Sequence, residues 1–353
     1  MTKRRAGVLL TMGLLAVAAI LLAWTFAQVR WQSVWLALRG LRGWQLALLL
    51  ALNLCLVALF SARWWLLLRM QGFKVSLGSL VVYRLAGFGV SYLTPGPQFG
   101  GEGWLVILLR RRHAVPVAEA SASVALDKLI ELLANFSFLA FGLLVSVRFG
   151  VFHQDLSSDF LVPLLLLLAI PFGLFATLAS GILPATWLSQ RWKRPPLVLG
   201  NLLSLVAQAE RRSASLIRQR TARILLLYFF SLGIWLAMVG EYWLMLHFFG
   251  VRANLSQTLF SLTAARLAFL TPLPGGLGAL EAAQAAAFQV LGYGASVGLS
   301  LSLLQRARDL LLAILGIGLG SIWHLRPLRV GLTQPDPNVV YPSPTLSLQE
   351  HDR

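Results

Sequence analysis

Apolar residues occur along this chain in runs of about 20, long enough as helices to cross the hydrocarbon core of a bilayer. The runs predict six transmembrane helices, near residues 7–27, 44–68, 118–147, 160–183, 222–249 and 297–323. Two more apolar regions, 77–109 and 255–291, are interrupted in the middle, so each half is short for a full crossing. For both regions the sequence leaves two interpretations open, a helix pair with a tight loop or a re-entrant hairpin. The pattern predicts an all-α polytopic membrane protein.

The two interruptions have the same composition. The first reads TPGPQFGGEG from Thr94 and the second TPLPGGLGALE from Thr271. Irregular backbone at membrane depth is tolerated only where protein or a watery cavity satisfies its polar groups. Glu102 and Glu281 follow in the first turn of the next half-helix, where carboxylates stabilise the helix dipole by about 0.3–1 kcal/mol. A second interpretation, a partner for a proton or a substrate amine, stays open.

Further matches indicate an internal repeat. An RLA tripeptide precedes each interruption, and a pair with a basic second residue follows it, DK in the first copy and QR in the second. Lys128 lies 33 positions after Pro95, and Arg306 lies 34 positions after Pro272. The predicted repeat units are residues 44–147 and 222–323. In transporters, such repeats place the substrate site near the midplane, where broken helices meet.

Composition and charge placement support a membrane protein. The chain is 58% hydrophobic and only 12% charged, with a mean hydropathy of +0.74, against about 25% charged residues in soluble domains. The net charge of +17 lies mostly in short loops beside apolar runs, where Lys and Arg set topology. We therefore expect no nucleic-acid partner.

The same rule predicts the topology. It places both termini in the cytoplasm and assigns Arg63, Arg69 and Lys74 to a cytoplasmic loop after the second span. The region 77–109 then opens from the cytoplasm and the region 255–291 from outside. The two units are thus predicted to be inverted relative to each other.

The remaining segments complete the predicted organisation. Residues 1–330 form one transmembrane domain, and the Pro-rich tail 331–353 is predicted to be disordered. The connector 195–221 is either an amphipathic helix on the anionic cytoplasmic leaflet or a plain solvated connector. With Cys55 as the single cysteine and scattered histidines, we expect no metal and no cofactor.

Charged residues inside spans are costly unless paired or hydrated, so they are candidates for a functional site. The predicted substrate-binding set is Arg84, Glu102, Asp127, Lys128, Glu131, Arg266, Gly275, Gly276, Glu281, Arg306 and Asp309. The structural alternative is mutual pairing, of Asp127 or Glu131 with a hairpin arginine and of Asp309 with Arg306 or Arg308. Two other features have structural interpretations. Glu241 is predicted to be a hydrogen-bonded carboxylate near its helix end, and Gly316 and Gly320 have the GxxxG spacing of close helix packing.

The paired interruptions, each followed by the helix motif DKLIE or QRARD, resemble the lysylphosphatidylglycerol synthase transmembrane family, the flippase-like region of the multiple peptide resistance factor. The resemblance covers roughly residues 10–325, and TPLPGGLGALE is its most specific part. It implies lipid translocation and a role for the charged candidates above. Because the large soluble aminoacyl-transferring domain of the full-length synthases is not matched, we expect the aminoacylation chemistry to be absent. Gln305 stands where the first copy has Asp127, which argues against a symmetrical proton relay.

We therefore predict a lipid flippase or head-group transporter of a bacterial inner membrane, without enzymatic activity, that moves a phospholipid or a polyprenyl- or hopanoid-type lipid. The expected partners are membrane lipids with an anionic or phosphate-bearing head group. A homo-oligomer and a lipid-synthesis enzyme are left open as protein partners. The alternative functions are an integral membrane transferase acting on a lipid carrier, which usually needs exposed carboxylates, and a scaffold for lipid-modifying enzymes.

Overall fold

The structure, a computed structural model, describes residues 39–94, 100–148, 158–192, 196–271, 273 and 276–325. Eleven helices and no strand occur within these residues. The helices are α1 (Gly43–Met70), α2 (Leu77–Leu93), α3 (Glu102–His113), α4 (Val117–Arg148), α5 (Ser158–Ser180), α6 (Pro184–Arg191), α7 (Leu197–Gln219), α8 (Thr221–Phe248), α9 (Leu255–Ala268), α10 (Ala279–Val290) and α11 (Ala295–Leu325). The predicted all-α class is confirmed for this part of the chain.

Three of the six predicted spans are present as helices long and apolar enough to cross a membrane, namely α1, α4 and α8. Residues Leu168–Ser180 of α5 reach that length only together with α6, from which they are bent by 65°. Helix α11 covers the predicted span 297–323, but three charged residues in its middle make it more polar than the other three. The predicted span 7–27 and the tail 331–353 lie outside the described residues.

Both interrupted regions are broken as predicted. The halves of the first, α2 and α3, have 17 and 12 residues, and the halves of the second, α9 and α10, have 14 and 12. All four are shorter than the ~20 residues of a full crossing. Gly276 and Gly278 have φ values of 62° and 78°, a region that disfavours residues with a Cβ. This explains the glycines at the second break.

The helices form two sets of the same order, α1–α4 and α8–α11. The first set begins its helices at 43, 77, 102 and 117, and the second at 221, 255, 279 and 295, so the intervals are 178, 178, 177 and 178. Packing between the sets is reciprocal, because α2 packs against α11, α9 packs against α4, and α1 packs against α8. This regularity supports the predicted repeat. The inverted orientation of the two sets stays a prediction.

Small residues bring α2 and α11 together. Gly316 faces the backbone carbonyl of Leu85, and a methyl group at Gly320 would lie 2.7 Å from the Ala86 Cβ. Gly318, between them, has no neighbouring atom within 4 Å. The GxxxG spacing therefore marks close helix packing, as the sequence predicts.

The largest hydrophobic cluster joins the two sets. It contains Leu56 of α1, Phe138 of α4, Trp235 and Tyr242 of α8, and Leu304 of α11. The Phe138 and Trp235 rings are stacked with centroids 4.4 Å apart. Helices α1, α4 and α8 therefore pack against one another. Polar side chains of the three helices, Arg63, Asp127 and Ser231, also lie in contact.

Candidate functional site

Arg63 of α1 is the centre of a buried ionic cluster. Its Nε lies 2.8 Å from Asp127 Oδ1, and its Nη2 lies 3.3 Å from Glu131 Oε2. Nη1 donates to Ser231 Oγ of α8 at 2.9 Å. The Arg63 side chain is fully buried, so these partners are what make its charge tolerable in a low-dielectric interior.

Arg84 of α2 binds the same two carboxylates as Arg63. It forms an ion pair with Asp127, and its Nη1 lies 3.4 Å from Glu131 Oε2. The predicted structural alternative, pairing of Asp127 or Glu131 with a hairpin arginine, is therefore present. Two arginines, one from α1 and one from α2, thus bind the same two carboxylates on adjacent turns of α4.

Lys128 connects this cluster to the first break. Its Nζ lies 2.9 Å from Glu131 Oε1 and 3.7 Å from Glu102 Oε1. Glu102 also accepts a hydrogen bond of 2.8 Å from the Gly100 N–H. Glu102 therefore stabilises the start of α3 and contacts a cation of the following helix, so the capping role and the ionic role coexist.

The second break has the equivalent arrangement with tighter geometry. Arg306 Nε and Nη2 lie 2.7 and 2.8 Å from the two oxygens of Glu281, a bidentate contact of the stronger type. Glu281 also accepts from the Gly278 N–H at 3.0 Å. Since Lys128 and Arg306 are 178 positions apart, the match predicted from the motif agrees with the interval between helix starts.

Two hydrogen bonds join α1 to α8 and use equivalent positions of the two helices, which are again 178 residues apart. In one the charged partner is an arginine, and in the other it is a glutamate. Glu241 of α8 lies 178 positions after Arg63, and Ser231 lies 178 positions after Asn53. Arg63 donates to Ser231, whereas Glu241 accepts from Asn53 Nδ2 at 3.0 Å. Equivalent positions therefore join the two sets twice, once through a cation and once through an anion.

Glu241 belongs to a second ionic cluster, with Arg308 and Asp309. Arg308 of α11 lies 3.3 Å from Glu241 Oε1 and 2.9 Å from Asp309 Oδ1. The predicted hydrogen bond of Glu241 is present, and the side chain is buried among protein groups. The predicted alternative for Asp309, pairing with Arg308, is also present.

A cavity of about 350 Å³ lies between the two helix sets. Apolar side chains from both sets, among them Phe60, Phe88 and Leu312, share its wall with charged groups. The charged residues that line it are Arg84, Glu102, Asp127, Lys128, Glu131, Arg266, Arg308 and Asp309. Four cations and four anions make the wall neutral in sum.

Arg266 differs from the other three cations of the cavity wall. Arg84, Lys128 and Arg308 each lie within ion-pair distance of a carboxylate. Among the residues that the structure describes, no carboxylate oxygen lies within 4.0 Å of the Arg266 guanidinium nitrogens. Its guanidinium instead lies 5.2 Å from the ring centroid of Trp235, a cation–π contact. Arg266 is the cavity cation available to an anion.

The structure distributes the predicted site residues over two places. Those that line the cavity are Arg84, Glu102, Asp127, Lys128, Glu131, Arg266 and Asp309. Arg306, Glu281 and Gly276 instead form the contact behind the second break, where the Gly276 carbonyl lies 3.5 Å from Arg306 Nη2. Gly275 lies outside the described residues.

Three contributors were not in the predicted set. Arg308 lines the cavity, Asn53 holds Glu241, and Arg63 binds Asp127. The assignment of Arg63 to a cytoplasmic loop is wrong, because it lies inside α1 and is fully buried. The sequence contains a signal for this, since the apolar run WWLLL continues directly after Arg63.

Arg84 and Arg266, which the motif matches as equivalent, do not occupy matching positions in α2 and α9. They are 182 positions apart, four more than the 178 that separates the starts of α2 and α9, which is about one helical turn. In addition, Gln305 replaces Asp127 at the interval of 178. The second set therefore lacks one carboxylate that pairs with an arginine in the first set.

The described residues contain no group of three or more His, Cys, Asp or Glu side chains arranged to hold a metal ion. The Arg266 guanidinium, which lies 5.2 Å from the Trp235 ring centroid, is the cation of this wall that the ion pairs leave aside among the described residues.

Comparison with known proteins gives a family match and similar membrane proteins. Residues 11–316 match the family described as lysylphosphatidylglycerol synthase TM region. A UPF0104 membrane protein of Pyrococcus horikoshii is 25% identical over 276 residues, covering 73% of this chain and 81% of that protein. Another, of Methanothermobacter thermautotrophicus, is 24% identical over 323 residues, covering 86% of this chain and 91% of that protein. No solved structure matches. The family match includes every residue of the cavity wall, and the chain belongs to the lysylphosphatidylglycerol synthase transmembrane family.

Proposed function

We propose that this protein moves a lipid with a phosphate-bearing head group between the two leaflets of a bacterial cytoplasmic membrane. The observation that carries the proposal is Arg266, a guanidinium on the cavity wall without a carboxylate among the described residues within ion-pair distance. A lipid phosphate supplies the missing anion, and charge-assisted hydrogen bonds of this kind contribute about 1.5–3 kcal/mol.

The neutrality of the wall as a whole is compatible with this proposal. Arg84 and Lys128 are held by Asp127, Glu131 and Glu102, and Arg308 is held by Asp309. Because these pairs satisfy one another, they attract a free anion only weakly. The anionic preference of the cavity therefore rests on Arg266.

The apolar part of the wall supports a lipid as the ligand. Phe60 and Phe88 line the cavity from the first set, and Phe269 and Leu312 from the second. Such a wall admits the glycerol and upper acyl segments of a lipid while its tails stay in the bilayer. We propose that the two helix sets are inverted in the membrane and that their relative movement exposes the cavity to one leaflet at a time.

The proposal assigns transport and no chemical step to this site. The test is translocation by the purified full-length chain in liposomes, followed by dithionite reduction of an NBD-labelled phospholipid in the outer leaflet. We expect Arg266→Gln to slow translocation by roughly 10- to 150-fold, the equivalent of the 1.5–3 kcal/mol above. The matched control is Arg252→Gln, which removes an exposed arginine from the loop before α9.

A second probe separates head-group recognition from general membrane leakage. An NBD-labelled glycolipid with an uncharged head group should be moved slowly by both the wild type and Arg266→Gln. Equal translocation of the phospholipid by the wild type and by Arg266→Gln would contradict the proposed role of Arg266. Absence of translocation by the wild type would favour the scaffold alternative.

A further inference from the structure

The helix pair α6 and α7 carries an apolar stripe that the protein covers only in part. On α7 the stripe consists of Leu199, Leu202, Val206, Ala209 and Ile217, with the small polar residue Ser213 in the same row. Their intervals of three and four residues place them on one face of the helix. The hydrophilic side chains of this helix, including Ser204, Gln208, Arg211 and Arg218, lie on the other side.

The two halves of the stripe have different surroundings. Ile217, near its end, is buried in a cluster with Leu126 and Ile130 of α4. Leu199, Leu202 and Val206 at its beginning are 48%, 59% and 47% exposed. The same helix face that packs against protein at one end is thus left uncovered at the other.

Helix α6 adds aromatic surface beside this exposed half. It packs against α7, and its Trp187 and Leu188 are exposed. The Arg191 guanidinium lies 5.2 Å from the Trp187 ring centroid. Exposed tryptophan together with arginine is the combination enriched at the boundary between bilayer and water.

The charge of this segment is strongly one-sided. Residues 181–223 contain eight basic residues and one acidic residue, Glu210. Glu210 is occupied, because it accepts hydrogen bonds from the backbone N–H groups of Ala185 and Thr186 at 3.2 and 2.8 Å. Among the described residues of the segment there is no other carboxylate, and Arg212 pairs instead with Glu119 of α4 at 3.3 Å.

We propose that α6 and the first half of α7 form a docking surface for anionic lipid head groups on the membrane leaflet that they face. The apolar residues enter the boundary between head groups and acyl chains, and the arginines bind the phosphates around them. A lipid surface fits better than an acidic protein, because apolar helices adjoin the segment at both ends. Residues Leu168–Ser180 of α5 lead into α6, and α8, long and apolar enough to cross a membrane, begins at Thr221, two residues after α7 ends.

The experiment uses the full-length chain with Cys55→Ser as background, so that one introduced cysteine can be labelled with an environment-sensitive fluorophore. Leu202→Cys reports on the exposed half of the stripe. Ser204→Cys is the matched control, since it is also exposed and lies about 200° around the helix from Leu202. Both variants are reconstituted in phosphatidylcholine vesicles with and without phosphatidylglycerol that carries a quencher near its head group.

We expect a blue shift and strong quenching of the label at position 202, and neither at position 204. The quenching by phosphatidylglycerol should exceed that by phosphatidylcholine carrying the same quencher. Arg191→Gln, which removes the arginine of α6, should reduce this difference without changing the elution profile of the protein, because no described carboxylate lies within 4.0 Å of the Arg191 guanidinium nitrogens.

Three outcomes would overturn the proposal. Equal emission wavelengths for the labels at positions 202 and 204 would indicate that the stripe is exposed to water. Equal quenching by the two lipids would remove the anionic preference. A blue shift at position 202 that depends on protein density and resists lipid quenchers would indicate a second copy of the chain as the occupant.

Discussion

Arg306 of α11 and Glu281 of α10 form a bidentate ion pair, with Nε and Nη2 of the arginine 2.7 and 2.8 Å from the two carboxylate oxygens. The arginine side chain is 1% exposed. The equivalent pair of the first set, Lys128 and Glu102, is longer at 3.7 Å and more exposed. The second break is therefore fixed to its following helix more firmly than the first.

We predict from this geometry that Arg306→Ala destabilises the protein by roughly 1.5–3 kcal/mol, because it removes charge-assisted hydrogen bonds from the Glu281 carboxylate, which is 23% exposed. The measurement is the melting temperature in detergent. The double variant Arg306→Ala with Glu281→Ala should recover a large part of the loss. A melting temperature unchanged by Arg306→Ala would contradict the structural role given to this pair.

A second prediction concerns the corrected position of Arg63. Since it is fully buried and paired with Asp127, Arg63→Ala should cost roughly 3–5 kcal/mol of stability. The matched control is Arg69→Ala, six residues later on α1, where the exposed guanidinium lies 4.7 Å from the Trp65 ring. Loss of such an exposed cation–π contact costs about 0.5–1 kcal/mol. Similar losses of stability for both variants would contradict the buried position of Arg63 and support the loop position predicted from the sequence.

The third prediction tests the packing of α2 on α11. A methyl group at Gly316 overlaps the Leu85 carbonyl, whereas Gly318 has open space around it. Overpacking of this kind costs about 1–3 kcal/mol, so Gly316→Ala should lower the melting temperature. Gly318→Ala should leave it unchanged or raise it slightly, because Ala is the better helix former. If both variants behaved alike, helix propensity would outweigh the interhelical contact.

The sequence predicted the elements better than the partners. Apolar runs and the Pro- and Gly-rich interruptions depend on local composition, so α1, α4, α8 and both breaks could be predicted. Pairings such as Arg63 with Asp127 depend on how helices far apart in sequence rotate against each other, which local patterns do not encode. Arg63 was misassigned because a charge near the end of an apolar run is typical of a loop. Motif matching also paired Arg84 with Arg266, one turn out of the register between α2 and α9.

The fourth prediction concerns topology. Reporter fusions after Arg112 and after Arg194 should indicate the cytoplasm, and a fusion at Asp155 should indicate the outside. The reason is that arginine and lysine are concentrated around Arg112 and Arg194, and loops rich in these residues stay on the cytoplasmic side. An outside location of Arg112 would contradict the inverted arrangement of the two helix sets. It would leave the cavity and its contacts as described.

The last prediction compares two arginines of the cavity wall that have different surroundings. Arg84 forms ion pairs with Asp127 and Glu131, whereas Arg266 contacts the Trp235 ring and no described carboxylate within ion-pair distance. Arg84→Gln should therefore lower the melting temperature, since it removes one of the counter-charges of the buried Asp127 and the partly buried Glu131. Arg266→Gln should leave the melting temperature within the range of a neutral substitution, because no buried anion depends on it.

Translocation should respond in the opposite order once it is expressed per folded protein. Arg266→Gln is expected to lose the larger share of phospholipid translocation, and Arg266→Lys to retain part of it, because the charge is kept while the planar contact with Trp235 is weakened. The discriminating measurement is therefore made twice on each variant, as thermostability in detergent and as translocation rate in liposomes. If Arg266→Gln melted early and the folded remainder kept the wild-type rate, Arg266 would be a structural residue and the anion would have to bind elsewhere on the wall.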